Sequence, residues 1–202
     1  TWLGVSKTGS FVAITNFRNP ALSERGSYSR GQIAVDFLNS VTSAKEFAED
    51  LQHKRHLYGP FNVLLFDGDE LFHYNNVADT ITKMQPGIYG LSNATLNTPW
   101  PKVELLKSAF THVLSNPLFS DEDLFTVLSN RTKASDEALP STGVPLELER
   151  NLSAIFIHFE GYGTRCSTVL RLTNTHWQFA ERTYVDGNSV YSQQFIFPIK
   201  QY

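Results

Sequence analysis

Apolar positions in the first fifteen residues, TWLGVSKTGSFVAIT, fill two arms around Lys7-Thr8-Gly9, the pattern of a β-hairpin. The return arm runs into NFRNP, where Asn16, Arg18 and Asn19 gather ahead of Pro20. A polar strand end suits a binding site, and the same residue types also suit a plain turn. A loop, NPALSERGSYSRG, follows. Ser29 then sits where an N-cap belongs for a helix over Gln32–Leu38, with Ile33, Phe37 and Leu38 on its apolar face. Ser43 caps a second helix, which sets Ala44, Phe47, Ala48 and Leu51 against Glu46, Glu49, Asp50 and Lys54. The run Phe61–Phe66 reads as a buried strand, Asp67-Gly68-Asp69 as its turn and LFHYN as the returning arm. GIYGLSN predicts a further strand, entered through Pro86-Gly87.

The period changes after Trp100. KVELLKSAFTHVL places Val103, Leu106, Phe110, Val113 and Leu114 on one helical face, and Pro99 and Pro101 set the start of that helix. SDEDLFTVLSN predicts a helix capped by Ser120, with Asp121, Glu122 and Asp123 at its positive end. RTKASDEALPSTGVP has the composition of a long loop, which leads into a short helix, PLELERNL. SAIFIHF, TRCSTVLRLT, HWQFAERTYV and YSQQFIFPI then read as consecutive antiparallel strands. Several strands are apolar on both faces, so each sheet needs cover on both sides. The expected fold is a single α+β domain over residues 1–202, with two stacked sheets flanked by helices.

Composition narrows the function. The chain has 202 residues, a net charge of −3 and a pI near 6.0, with no basic stripe, which argues against a nucleic-acid partner. Its longest apolar runs are strand-sized, far short of the roughly 20 residues an integral membrane helix needs. Cys166 is the only cysteine. It allows no internal disulfide and no multi-cysteine zinc site, and it fits a reducing, cytoplasmic location. His53 and His56 have a spacing open to a metal pair or to a solvated helix end. Asp67, Asp69 and Glu70 lack the ligand alternation of a calcium loop and suit a turn. No cofactor is expected. Trp2–Val5 reads as the middle of a strand, so further residues are expected ahead of Thr1.

The segments TWLGVSKTGSFVAITNFRNP, SRGQIAVDFL, GIYGLSNATLNTPWPKV, LPSTGVPLELERNLSAIFI and YGTRCSTVL occur here in order. Together they resemble the NRDE family, also called the transport and Golgi organisation 2 family, across essentially the whole chain. That family is similar in sequence pattern to the N-terminal nucleophile hydrolases, in particular the branch with bile-salt and penicillin-V amidases. The resemblance implies a four-layer αββα sandwich. It also implies a leading Cys after the initiator Met and an Asn-Arg-Asp-Glu signature, neither of which is in this sequence. By the same resemblance, Asn16 and Asn93 match the two Asn whose amides face the reacting carbonyl, and Arg165 matches an Arg beside the nucleophile.

The implied chemistry is attack by an N-terminal thiol on a small-molecule amide, with the free α-amine (pKa near 8) taking the proton. An oxyanion donor such as Asn16 or Asn93 is typically worth about 3 kcal/mol in the barrier. Arg18 and Trp100 are the candidate substrate-binding residues, with Pro99, Trp100 and Pro101 stiffening the turn beside the pocket. Asn93 also fits a turn residue bonding its own backbone, and Arg165 also fits a structural ion pair. Thr1 lies in an internal strand start of the family and is not expected to be a nucleophile. Cys166, next to Arg165 on an expected strand, should face away from it as a buried structural thiol. The alternative function is non-enzymatic, in haem or lipid handling or in secretory-pathway organisation. His53, His56, His73, His112, His158, His176 and Met84 form no recognisable haem motif.

Overall fold

The computed structural model describes residues 1–22 and 26–199. Among them the protein is mixed α/β, with antiparallel sheets and five α-helices. The chain divides into two compact units: Thr1–Gly87 with Leu91–Thr98, and Ile88–Gly90 with Pro99–Pro198.

The first unit is built on a five-stranded antiparallel sheet in the order β1 (Leu3–Val5), β2 (Phe11–Asn16), β3 (Phe61–Phe66), β4 (Leu71–Asn75), β5 (Thr80–Lys83). Successive strand residues point to opposite faces, and this alternation divides the sheet by chemistry. Val12, Ile14, Phe61, Val63, Leu65, Phe72 and Tyr74 form one buried face. It packs with Ile33, Ala34 and Phe37 of α1 (Arg30–Asn39) and with Ala44, Ala48 and Leu51 of α2 (Ala44–His53). The opposite face carries Thr15, Asn62 and Asn75, which are direct cross-strand neighbours.

Helix α1 is longer than the expected Gln32–Leu38. Ser29 holds the N-cap position in extended backbone, but its side chain makes no capping bond. Ser43, in contrast, forms a full capping box with Glu46. Asp67 shapes the β3–β4 turn by accepting from the amides of Ala44 (2.7 Å), Asp69 (3.0 Å) and Glu70 (2.9 Å). Burial pushes its carboxyl pKa up, yet the amides of Glu70, Ala44 and Asp69 outweigh that and hold it low. Strand β5 was not expected from its short, mostly polar TITK sequence.

The second unit contains α3 (Pro101–Leu114), α4 (Asp121–Leu128), α5 (Leu146–Leu152), the short pair β6 (His158–Phe159) and β7 (Tyr162–Gly163), and a sheet of β8 (Cys166–Leu172), β9 (His176–Val185) and β10 (Asn188–Pro198). Its order is β10-β9-β8, antiparallel throughout. Leu124, Phe125, Val169 and Ala180 form its core, with Phe110, Val113, Phe119 and Leu128 packed around them. Ser120 caps α4 through a capping box with Asp123.

Three local expectations are corrected. GIYGLSN forms no strand: the carbonyls of Ser92, Asn93 and Ala94 bond to Thr15 Oγ1, the Arg18 amide and Asn62 Nδ2 instead of to a neighbouring ladder. SAIFIHF pairs only at its end, through His158 and Phe159. Its buried members Ala154 and Phe156 lie in irregular chain, and the Phe156 ring meets Tyr184 edge-on at 4.8 Å. An apolar run reports burial, and here burial comes without a sheet. Cys166 is exposed, not buried, because the inward-facing positions of β8 are Ser167 and Val169. Arg165 precedes that strand and is not part of it.

Candidate functional site

Strand β2 delivers Asn16 at its last position, where the side chain is exposed. The segment 91–98 of the same unit reaches this strand end. The Asn93 Nδ2 group donates to the Asn16 carbonyl at 3.0 Å, and the Arg18 amide donates to the Asn93 carbonyl at 2.6 Å. Asn93 therefore bridges both ends of the Asn16–Arg18 turn. The three expected residues Asn16, Arg18 and Asn93 meet, although 77 positions separate Asn16 from Asn93. Asn16 contributes its backbone carbonyl to this contact, not its carboxamide.

Behind the bridge lies a polar cluster that the sequence reading missed. Thr15 Oγ1 donates to the Ser92 carbonyl at 2.9 Å. Asn62 Nδ2 donates to the Ala94 carbonyl at 2.9 Å and to Thr15 Oγ1 at 3.2 Å. Asn62 Oδ1 accepts from Asn75 Nδ2 at 2.6 Å and pairs with His73 Nε2 at 3.0 Å. Asn75 Oδ1 accepts from the amides of Val77 (2.9 Å) and Ala78 (2.6 Å). Asn62 and Asn75 are 0% exposed and His73 2%. Burial lowers the His73 pKa to about 4, so the ring is neutral at physiological pH. Asn62 Oδ1 only accepts, which assigns the proton of the neutral ring to Nε2. The signal was present in the sequence: Asn62 and Asn75 interrupt apolar strands, and a buried carboxamide requires partners.

The other two expected residues belong to the second unit. Trp100 is buried, and its carbonyl starts α3 by accepting from the amides of Val103 (2.8 Å) and Glu104 (3.1 Å). The Lys102 ammonium lies 5.8 Å from the centre of the Trp100 ring. Arg165 is exposed and donates from Nη1 to the Tyr184 carbonyl at 2.8 Å, while the Tyr184 amide returns a bond to the Arg165 carbonyl at 2.8 Å. It lines a polar cleft of about 250 Å³ with His158, Tyr162, Thr164, Tyr184 and Asp186. Beside Arg165, the Cys166 residue is exposed but its sulfur is partly shielded from water: that desolvation raises the thiol pKa first and Glu181 adds to it, against a lowering by Arg165.

A separate apolar pocket of about 400 Å³ lies within the second unit, where α3, α4 and β8 meet. Leu106, Phe110, Leu124, Leu128, Val169 and Leu170 are among its walls, and Lys107 and Arg171 supply its charge. Arg171 is held by Asp121 at 2.5 Å and lies over the Phe119 ring at 4.6 Å. None of the residues lining this pocket is His, Cys or Met. Among the described residues no helix is long and apolar enough to cross a membrane.

Residues 1–186 match the protein family described as Transport and Golgi organisation 2. The chain is similar to the Transport and Golgi organization protein 2 homologs of Bos taurus (32% identical, over 93% of this chain and 73% of that protein) and Homo sapiens (31%, over 92% and 72%). It is 30% identical to the Mus musculus homolog, over 94% of this chain and 74% of that protein.

Proposed function

Taking as premise that the chain belongs to the Transport and Golgi organisation 2 family, we propose that it forms part of an N-terminal nucleophile amidohydrolase acting on a small-molecule amide. The observation that carries this reading is the meeting of Asn16, Arg18 and Asn93 at the end of β2. In the proposed enzyme, which has the αββα layering of that class, the nucleophile is a thiol from a residue outside Thr1–Tyr202. Its sulfur bonds to the amide carbon as the α-amine accepts the thiol proton. The carbonyl oxygen becomes an oxyanion. One N–H of the Asn93 carboxamide goes to Asn16, and the second is the donor assigned to this oxyanion. Collapse breaks the C–N bond, the ammonium returns its proton to the leaving amine, and water then hydrolyses the thioester. Arg165 is assigned to the sulfur of the nucleophile, as a hydrogen-bond donor. Trp100 and Arg18 are assigned to substrate binding. The cytoplasm is the compartment proposed, where reducing conditions keep a free thiol from oxidation.

The test uses the full-length natural protein and a p-nitrophenyl ester probe, which acylates a thiol through a tetrahedral oxyanion. The expected result is one acyl adduct on an N-terminal Cys, formed about a hundredfold more slowly in Asn93→Ala, the scale of a lost oxyanion donor. Absence of that adduct, or labelling indifferent to Asn93, removes the hydrolase reading.

The apolar pocket of the second unit favours a second reading, in which the protein carries a lipid-like ligand without transforming it. Its lining holds no His, Cys or Met, with Tyr89 the one side chain of a haem-ligating type, so the lipid version is preferred. A fluorescent fatty-acid displacement assay decides it: Phe110→Arg should abolish binding, and a wild-type protein that binds nothing at micromolar probe rejects it.

A further inference from the structure

The polar cluster behind Asn93 has a direction. The amides of Val77 and Ala78 can only donate, so Asn75 Oδ1 is fixed as their acceptor. Its Nδ2 must then face Asn62 and donates to Oδ1 there. That leaves the Asn62 Nδ2 group facing Thr15 Oγ1 and the Ala94 carbonyl. With its oxygen accepting from Asn62, the Thr15 hydroxyl has its proton for the Ser92 carbonyl. Both peptide carbonyls flanking Asn93 are thus gripped by hydroxyl and carboxamide donors whose polarity originates at the turn after β4. His73 reinforces it by donating to the same Asn62 oxygen. Asn62 uses its two donors and accepts twice, so its amide has no alternative orientation of equal merit.

We propose that Asn75, Asn62 and Thr15 form a directional hydrogen-bond relay that holds Asn93 in place, which makes them positioning residues for the site. The assignment rests on the amide-hydrolase reading for its functional meaning and on the bonds alone for its physical content. The segment 91–98 has no regular secondary structure, so its placement depends on such side-chain bonds. The relay predicts that a change at residue 75 is felt at Arg18, whose amide bonds to the Asn93 carbonyl.

The Arg18 amide is the reporter, read by hydrogen exchange in NMR, with the Ile14 amide, bonded to the Trp2 carbonyl at 2.8 Å, as the internal control. In Asn75→Asp the Val77 and Ala78 acceptor survives and the donor is lost. Arg18 exchange should accelerate about tenfold, a factor equivalent to one net hydrogen bond, while Ile14 stays within twofold. Thr15→Val should produce the same effect, and Thr15→Ser, which restores the hydroxyl, should return Arg18 to wild-type exchange. A folded Thr15→Val protein with unchanged Arg18 exchange overturns the relay, as does a Thr15→Ser variant no better than Thr15→Val. If the Asn75 variant does not fold, the Thr15 pair decides alone. Probe labelling of the full-length protein reads the functional half: slower adduct formation in Thr15→Val and normal formation in Thr15→Ser support positioning. A wild-type protein without adduct rejects the hydrolase reading, and Arg18 exchange still decides the relay.

Discussion

His73 is neutral because its ring is enclosed, and that has a thermodynamic consequence. Its folded pKa, about 4, lies below the ordinary value of 6.5. Between those values the unfolded chain binds a proton that the folded chain refuses, so stability is full above pH 6.5 and falls as the pH drops toward 4. The loss for this one group reaches about 3 kcal/mol. Urea titrations at pH 7 and pH 4.5 should show the decline, and His73→Gln should flatten it. Asn97 is a second residue whose backbone matters: it adopts φ 58°, a left-handed conformation that a β-branched side chain resists. Asn97→Val should cost about 1–2 kcal/mol in the same titration and Asn97→Gly close to nothing. At this scale the family resemblance singled out Asn16 and Asn93, and Arg18 stood out at a polar strand end; the three do meet, through the Asn93 carboxamide and carbonyl and the backbone of Asn16 and Arg18. The supports Thr15, Asn62 and Asn75 were passed over because they sit inside apolar runs, where the pattern announces a core and hides the polar exceptions.

Helix starts offer a controlled comparison among elements. Ser43 and Ser120 both close capping boxes, whereas Ser29 occupies the same position without a side-chain bond. Ser43→Ala and Ser120→Ala should each destabilise by about 1 kcal/mol in denaturant titrations, and Ser29→Ala by less than about 0.5 kcal/mol. Strands with clear alternation or tight turns were readable to within a residue or two: β3, β4, β8 and β9 all lie where the pattern predicts them. GIYGLSN and SAIFIHF were misread for one reason. Both are enriched in strand-forming residues, but their backbone groups bond to side chains or loops, and pairing partners far along the chain are invisible to local periodicity. Strand β10 shows the opposite case. It is a strand as expected, with Val190, Tyr191, Phe195 and Ile196 exposed and no charged residue from Asn188 to Pro198. An uncharged apolar edge invites pairing between chains. Light scattering should show concentration-dependent association, reduced by Ile196→Lys.

For the molecule as a whole, net charge is small, and the ion pairs given by the described residues have partly exposed side chains. Arg182 with Glu122, Lys83 with Glu70 and Arg150 with Asp136 are examples with partly exposed partners. Such pairs contribute little and are screened by salt, so raising ionic strength from 0.1 M to 1 M should move Tm by no more than about 4 °C. The mixed α/β character was legible from the alternation of periods. The division into two units was not, because residues 88–90 leave the first unit and 91–98 return to it without any change of composition. That return has a consequence for synthesis. A nascent polypeptide emerging from the ribosome exposes Asn62 well before the carbonyl of Ala94 exists, and that carboxamide can meet its last partner only once the chain has been extended past residue 94. Any autonomous fragment cut from the amino-terminal half should therefore extend through Thr98, and one ending at Gly87 would carry a sheet with an unfilled polar seam.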